Sequence, residues 1–381
     1  MAHYKGHKKN SRTGLASYGR QSVNNADISS VVKVLESDWL TQGPKVKKFE
    51  EKLAEYCGAK YAVAVSSGTA GLHIAYLAAG LKTGDEVITT PNTFAATSNM
   101  ILATGAKPVF CDIRLDTYNI DENKIESLIT KKTKAIAPVD FAGHPSNMDA
   151  IKKIAKKDKL IVIEDACHSL GALYKGKKTG TLADMTVFSF HPVKHITTGE
   201  GGAVLTNDIK YYEKLKYFRS HGIVKDKNGF NSVIELGFNY RLSDIAAGLG
   251  VSQLKRLDNF VKKRRKLTAV YIKKLKEIKD IILPVEHEAL SSWHIFVIRL
   301  KDSNRRGGLM AYLKKAGIGN TIHYPAVYSH PYYRNNGYKK FALPNEELYQ
   351  ESCLTLPLHP QLSRLGILYV CLIVKKFFNY V

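Results

Sequence analysis

Apolar positions along this chain fall into two alternating patterns. Short continuous runs at Tyr61-Ala-Val-Ala-Val, Glu86-Val-Ile-Thr, Pro108-Val-Phe, Lys134-Ala-Ile-Ala-Pro-Val and Leu160-Ile-Val-Ile read as strands buried on both faces. Between them, apolar residues recur at helical spacing from about Ala95 to Thr104, near Asn123 to Ile129 and near Met148 to Lys156. Strands alternating with amphipathic helices predict an α/β protein built on a mostly parallel sheet. Upstream, Asp27 is placed to cap a helix carrying Ile28, Val31, Val32 and Leu35 and ending near Ser37. A second helix carries Val46, Phe49, Leu53 and Tyr56, and Gly58 stops it.

Downstream of residue 206 the periodicity changes. A helix covers Leu215 to Phe218, and the polar, glycine-containing stretch to about Val233 reads as a mobile loop. Ser243 or Asp244 caps a helix running into Gly248, and residues 253–279 read as one long basic helix leading to a second domain. That domain holds a strand at Trp293-His-Ile-Phe-Val-Ile, a helix from Gly307 to Lys315 and a strand end at Ile322-His-Tyr-Pro. The expected organisation is a disordered basic leader at 1–17, a large domain at 18–255 and a small C-terminal domain at 256–381. The segment Ser363 to Val374 is more apolar than a closing surface helix should be, and reads as a buried helix or a local sequence alteration.

Composition narrows the class. The 381 residues are 44% hydrophobic and 24% charged, as in a globular protein. No run approaches eighteen apolar residues, and no apolar core follows the basic N-terminal residues, so neither a membrane span nor a secretory signal is expected, and the cytoplasm is. Five widely spaced cysteines form no CxxC pair, which argues for free thiols over a disulfide framework or zinc site. A net charge of +23 invites a nucleic-acid reading. The lysines are spread over many helices without a recognisable binding motif, so the charge fits capture of anionic small molecules better.

The chemistry centres on Ser189-Phe-His-Pro-Val-Lys-His-Ile-Thr-Thr-Gly-Glu-Gly-Gly, which lies between two apolar runs. Lys194 has no acidic neighbour in sequence before Glu200. Burial beside other cationic groups would lower its pKa and free a nucleophilic amine suited to Schiff-base chemistry. Taken alone, a solvated loop lysine fits as well or better. Three other features follow the same logic. The turn Ser66-Ser-Gly-Thr-Ala-Gly between a strand and a helix makes an anion site from free N–H groups. Phe94 follows Pro91-Asn-Thr, and Asp165 ends a strand, as a ligand carboxylate or as a helix cap. Pyridoxal phosphate needs these four: a phosphate cradle, a stacking ring, a carboxylate for the pyridine nitrogen and a lysine for the aldehyde. His168, His191 and His195 lack a companion ligand at metal spacing, so hydrogen bonding is the expected role for histidine here.

The sequence also resembles the DegT/DnrJ/EryC1/StrS family of sugar-nucleotide aminotransferases, from about Tyr18 to about Leu362. The Lys194 motif carries the resemblance, as do Asp38-Trp-Leu-Thr-Gln-Gly, Thr90-Pro-Asn-Thr-Phe-Ala-Ala-Thr, Arg219-Ser-His-Gly-Ile-Val-Lys and Gly237-Phe-Asn-Tyr-Arg-Leu-Ser-Asp. The wording is similar to a subgroup that makes UDP-4-amino-4,6-dideoxy-N-acetyl-β-L-altrosamine, an intermediate of pseudaminic acid synthesis. The resemblance implies fold type I of the pyridoxal-phosphate enzymes, aspartate-aminotransferase-like, with a mostly parallel seven-stranded sheet in the large domain and a smaller C-terminal α/β domain. It implies Lys194 as the Schiff-base lysine and Asp165 as partner of the ring nitrogen, with His168 near the phenolic oxygen. Gly68, Thr69 and Ser189 would hold the phosphate and Phe94 would stack on the ring. Asn239 would reach the phosphate of the other subunit, making a homodimer with shared sites. Tyr18, the segment Asp38, Trp39, Leu40 and Thr41, and the segment Thr321, Ile322, His323 and Tyr324 would face the nucleotide sugar. For Tyr18 a packing role at the domain start, and for His323 a strand-end role, are the alternatives.

The expected reaction moves nitrogen from L-glutamate to C4 of a UDP-4-keto-6-deoxy-N-acetyl-hexosamine. The alternatives are a related aminotransferase acting on another keto-sugar, such as UDP-4-keto-6-deoxy-N-acetyl-glucosamine, and a non-catalytic regulatory or nucleic-acid-binding protein that keeps the fold. The basic leader before Tyr18 has no counterpart in the family, and the apolar tail after Leu362 does not resemble the polar helix the family usually has there.

Overall fold

The computed structural model describes residues 17–338 and 341–381, so the leader expected at 1–17 lies outside the described residues but for Ser17. Seven strands build the central sheet: β1 (Tyr61–Val65), β2 (Glu86–Thr89), β3 (Lys107–Phe110), β4 (Thr133–Ala137), β5 (Ile161–Asp165), β6 (Met185–Ser189) and β7 (Gly202–Thr206). Their spatial order is β1-β7-β6-β5-β4-β2-β3. Pairing is parallel from β6 through β3, and only β7, between β6 and β1, runs antiparallel to its neighbours. Strands such as β7, buried at every position, need cover on both faces, and helices supply it.

The N-terminal helix α1 (Asn25–Leu35) starts three positions earlier than the sequence expectation. Asn24 is the cap, accepting from the Asp27 amide, while the Asp27 side chain accepts from the Asn24 amide in a reciprocal capping box. Asp27 is drawn inward instead, bound by Ser252, Gln253 and Arg256. α2 (Pro44–Cys57) ends at Gly58, whose φ of 76° suits a residue without Cβ. α3 (Gly68–Ala78) follows β1, α4 (Ala96–Ala103) follows β2, α5 (Met148–Asp158) follows β4 and α6 (Ile209–Arg219) follows β7.

Two other expectations change. The helix expected to run into Gly248 continues as α7 (Asp244–Leu254), so the long helix predicted at 253–279 is shorter, α8 (Leu257–Leu275), and the two are separated at Lys255–Arg256. Ser243 caps the first of them. The stretch read as a mobile loop forms a hairpin, β8 (Ile223–Lys225) with β9 (Asn231–Val233). Its turn at Asp226–Gly229 is held by the Asp226 carboxylate, which accepts from the Asn228 and Phe230 amides.

Beyond α8, strand β10 (Ile281–Ile282), β11 (Phe296–Leu300) and β12 (Cys353–Leu356) make a three-stranded antiparallel sheet. With α9 (Arg306–Lys315) and α10 (Arg364–Phe377) it encloses a core running from Leu267 to Phe378. The apolar tail is a buried helix: Ile367, Val370, Cys371 and Val374 recur at i, i+3, i+4 and i+7 and face this core, with α10 packed on α8. No described helix is long and apolar enough to cross a membrane.

Candidate active site

A cavity of about 430 Å³ opens where β1, β5 and β6 end, against the C-terminal sheet. Parallel α/β sheets bind ligands at this edge, because loops diverge there and helix N-termini point in. Of the residues predicted from sequence, the cavity brings together Tyr18, Gly68, Thr69, Phe94, Asp165, His168, Ser189, Lys194, His323 and Tyr324. It does not include Asn239, the 38–41 segment, Thr321 or Ile322. Trp39 and Leu40 lie about half exposed, and the Leu40 carbonyl accepts from the Asp244 amide at the start of α7. Thr321 pairs with Thr355, Ile322 packs into the small cluster around Phe141, and Asn239 bridges Ser220.

The floor of the cavity is the start of α3. Ser67 caps that helix by accepting from the Ala70 amide, which leaves the Gly68 and Thr69 N–H groups facing the cavity without an intrahelical acceptor. Gly68 is required by close approach. A Cβ there would stand 2.9 Å from the Ser189 Cβ and 3.1 Å from the Cys167 sulfur. The Ser189 hydroxyl therefore sits directly over the helix N-terminus, and the three groups form an anion cradle.

Asp165 ends β5, and it is no helix cap. Its Oδ2 accepts from Thr97 Oγ1 at 2.6 Å and its Oδ1 from the Cys167 amide at 3.2 Å. Thr97 Oγ1 is also 2.8 Å from Thr93 Oγ1, so two buried threonines on the α4 approach orient the carboxylate. Thr97 lies within the stretch that carries the family resemblance, yet its spacing gives no hint that it reaches β5.

Lys194 sits in the turn between β6 and β7, its amide bonded to the His191 carbonyl and its side chain along the cavity wall. Among the described residues its amine makes no hydrogen bond or ion pair. Desolvation lowers its pKa, opposed by the nearby Cys167 and Asp165. The cationic neighbour expected from sequence is replaced by burial, and this has a consequence for the histidines. His168, His294 and His323 all have lowered pKa values, first from burial and then from Lys194, His323 falling to about 4. They stand around the lysine as neutral rings.

His168 Nε2 is 3.3 Å from Tyr324 Oη, and its Nδ1 is buried without a partner. Its ring lies 4.4 Å from that of His294, centroid to centroid. His294 was not singled out from the sequence, where it reads only as the start of a strand. It reaches the cavity because Arg264, fully buried on α8, donates to the carbonyls of Trp293, His294 and Leu358. Burial without a carboxylate partner pulls the Arg264 pKa down to about 9. The Leu358 amide in turn donates to the Tyr18 carbonyl, so one guanidinium fixes two walls of the cavity. His195 points away, its Nε2 on the Ser292 carbonyl.

Comparisons with known proteins agree with this geometry. Residues 21–375 match the model of the DegT/DnrJ/EryC1/StrS aminotransferase family. A Campylobacter jejuni protein named UDP-4-amino-4,6-dideoxy-N-acetyl-beta-L-altrosamine transaminase is 42% identical over 355 residues, 92% of this chain and 94% of that one. The structure of Helicobacter pylori PseC, described as an aminotransferase of pseudaminic acid biosynthesis, superposes with a TM-score of 0.92 at 35% identity, covering 96% of this chain and all of that one. The PLP form of a putative sugar aminotransferase, Spr1654 of Streptococcus pneumoniae, superposes at 0.90 with 29% identity, covering 95% and 98%. With both family and fold matched over nearly its whole length, this chain belongs to the DegT/DnrJ/EryC1/StrS aminotransferases, and it is an aminotransferase of the aspartate-aminotransferase-like α/β fold.

Proposed function

We propose that this aminotransferase uses pyridoxal 5'-phosphate to move an amino group from L-glutamate to C4 of UDP-2-acetamido-2,6-dideoxy-β-L-arabino-hex-4-ulose. The product is UDP-4-amino-4,6-dideoxy-N-acetyl-β-L-altrosamine, in pseudaminic acid biosynthesis. The observation that carries the reading is the convergence on one cavity of an anion cradle, an oriented carboxylate and an unpaired, desolvated lysine. The relatives named for that product and pathway favour this keto-sugar over others in the family.

The residues present fit the cofactor. Gly68, Thr69 and Ser189 would hold its phosphate, Asp165 its ring nitrogen, Phe94 its ring face and Lys194 its aldehyde carbon. The partnerless His168 Nδ1 marks a buried polar atom that the protein alone leaves unsatisfied near the ring site. When bound, the cofactor supplies an electron sink that stabilises negative charge developing on the donor's α-carbon. With the cofactor held there, Lys194 Nζ would carry a proton from that carbon to the cofactor's aldehyde carbon, and in the return half from that aldehyde carbon to C4 of the sugar, since desolvation favours its free-amine form. The neutral rings of His168, His294 and His323 make the wall unreceptive to stray protons and keep repulsion of the lysine low.

Tyr18, His323 and Tyr324 would meet the sugar. Tyr349 Oη holds the His323 carbonyl at 2.5 Å, and His323 Nδ1 is 2.9 Å from Thr355 Oγ1, so this wall is pre-set rather than induced. Asn239 and the 38–41 segment, outside the cavity of their own subunit, act in that of a second copy. Support comes from the apolar skin beside Asn239: Phe230, Val233, Ile234 and Leu236 are 70, 70, 52 and 81% exposed. Such a strip on the surface calls for a partner, and the homodimer supplies one. The charge of +23 favours capture of the anionic nucleotide sugar.

The deciding experiment is mass spectrometry of products from a panel of UDP-keto-sugars incubated with protein, cofactor and L-glutamate. The altrosamine derivative should form fastest, with 2-oxoglutarate in equal amount. Faster amination of another keto-sugar would overturn the substrate assignment, and turnover without added or bound cofactor would overturn the chemistry.

A further inference from the structure

Directly behind Asp165 lie two more carboxyl groups, Asp140 and Glu164, both wholly buried. They arrive there by topology. β4 and β5 pair in parallel, Val139 bridges Asp165, and the Asp140 amide donates to the Asp165 carbonyl at 3.1 Å. Glu164 precedes Asp165 on the same strand, so the pleat sends it to the opposite face of the sheet. There it lies within hydrogen-bond reach of Asp140.

Donors are scarce at this spot. Asp140 accepts from the Ser146 amide at 2.9 Å and from Ser169 Oγ at 2.6 Å. Glu164 Oε2 accepts from Thr186 Oγ1 at 2.7 Å, while its Oε1 has no donor at all. Among the described residues no lysine, arginine or histidine bonds to either group. Two buried carboxylates side by side without a cation are strongly unfavourable, and a single proton between them removes one charge and gives the idle Oε1 a partner. The other titratable groups facing the pair are Asp165 on β5, Cys167 after it and Cys57 of α2. None of them supplies positive charge. Burial accordingly raises both acids above the usual carboxylate range, with Asp165 adding to the rise.

We propose that Asp140 and Glu164 share one proton and act as a positioning pair, a single fixed negative charge behind Asp165 that favours a protonated ring nitrogen on the cofactor it faces. The proposal rests on the reading of Asp165 as the ring-nitrogen partner. Its distinctive feature is the count of charges. Replacing either acid by its amide leaves the other to ionise, so the charge behind Asp165 stays at one. Only the double replacement removes it.

Infrared spectroscopy of the cofactor-free protein at neutral pH tests the shared proton. Wild type should show the carbonyl stretch of a buried protonated carboxyl, and both Asp140→Asn and Glu164→Gln should abolish it. If the band is absent in wild type, or survives both replacements, the proposal fails. Loaded with cofactor labelled at the ring nitrogen, the single variants should titrate by NMR as wild type does. The double variant should lose the ring proton at a pH lower by roughly one unit, a tenfold loss of proton affinity. A double variant that titrates like wild type overturns the role, and should it fail to fold, a shift in either single variant overturns the charge count instead. An Asp165→Asn control separates the two readings. If it leaves the ring-nitrogen titration unchanged while the infrared pattern holds, the assignment of Asp165 falls and the shared proton stands.

Discussion

The cavity and the β8–β9 hairpin treat their awkward groups in opposite ways. In the cavity, polar side chains are buried and most are answered from within the chain: Asp165 by Thr97 and the Cys167 amide, His323 by Thr355, the Trp293 and His294 carbonyls by Arg264. Along the hairpin and the segment after it, apolar side chains stand in water, and nothing among the described residues covers them. Groups that a single chain cannot satisfy mark where something else must bind. In the cavity these are the unpaired Lys194 amine, the α3 amides and His168 Nδ1. On the hairpin they are Phe230, Val233, Ile234 and Leu236. A polar deficit fits a small polar cofactor, and an apolar deficit fits a protein face.

The largest effect expected from this contrast is at Lys194. Lys194→Ala should lower turnover by at least roughly 10³-fold, since among the described residues no other amine lines the cavity to move the donor's α-proton. Single-turnover conversion of glutamate to 2-oxoglutarate is the measurement. Turnover within tenfold of wild type would remove the lysine from the mechanism. The hairpin comes next. Phe230→Asp with Leu236→Asp should weaken self-association by about 2 kcal/mol or more, roughly thirtyfold in Kd, while leaving far-ultraviolet circular dichroism unchanged. Sedimentation reads the dimer, and activity should fall in step with it. Mixing inactive Lys194→Ala with Asn239→Ala subunits should restore activity through hybrid dimers, because one of the two sites then keeps both residues. Absence of recovery, with hybrids present, would confine each site to one chain.

Much of this was legible in the sequence, and the failures share a cause. The seven strands, α2 and the Lys194 turn follow from local patterning and punctuation, which act over a few residues. The proposed cofactor residues Gly68, Asp165 and Lys194 are recognisable because each sits at or just past a strand end, where the chemistry is local. What was missed is non-local. Thr97 meets Asp165 across 68 residues of chain, and Arg264 meets the His294 carbonyl across 30. Asp27 reads as a cap because capping is a local rule; Asn24 takes that place, and Asp27 completes the capping box while also meeting Gln253 and Arg256 from 226 and 229 residues away. The hairpin reads as a loop because in Asp226-Lys-Asn-Gly three polar residues and a glycine dominate a short window, hiding two strands of three residues each. The apolar tail, ambiguous by composition, resolves into a helix whose buried face is set by the core under α8.

Thr97 offers a finer test of the cavity side. Thr97→Val keeps the shape but removes the hydroxyl donor, leaving Asp165 Oδ2 short of a partner in a buried setting, at a cost of about 1–3 kcal/mol. If orientation of Asp165 is what matters, cofactor affinity should drop by roughly tenfold or more, and Thr97→Ser should restore most of it. Fluorescence titration of cofactor into the empty protein measures this without any turnover. A Thr97→Ser variant as weak as Thr97→Val would mean that packing, not the hydrogen bond, holds the site.

The smallest effect is a matter of slope, and it separates the neutral histidine wall from ordinary surface titration. His359 is buried near Arg264, and its pKa is lowered to about 4, first by burial and then by Arg264, Arg20 and Lys263. In the unfolded chain a histidine titrates near 6.5. Between about 6.5 and 4 the unfolded state therefore binds a proton that the native state refuses, and stability must fall as pH falls through that window. Each such histidine contributes a slope of about 1.4 kcal/mol per pH unit there, and His323, also near 4, adds its own. His359→Gln removes one proton from the count. The urea midpoint of the variant, followed from pH 7 to 4, should decline less steeply than wild type by that amount, whatever its starting value at pH 7. Because His359 lies outside the cavity, activity at neutral pH should stay within about twofold. An unchanged slope would mean that His359 is already protonated in the native state, and the lowered pKa assigned to burial beside Arg264 would be wrong.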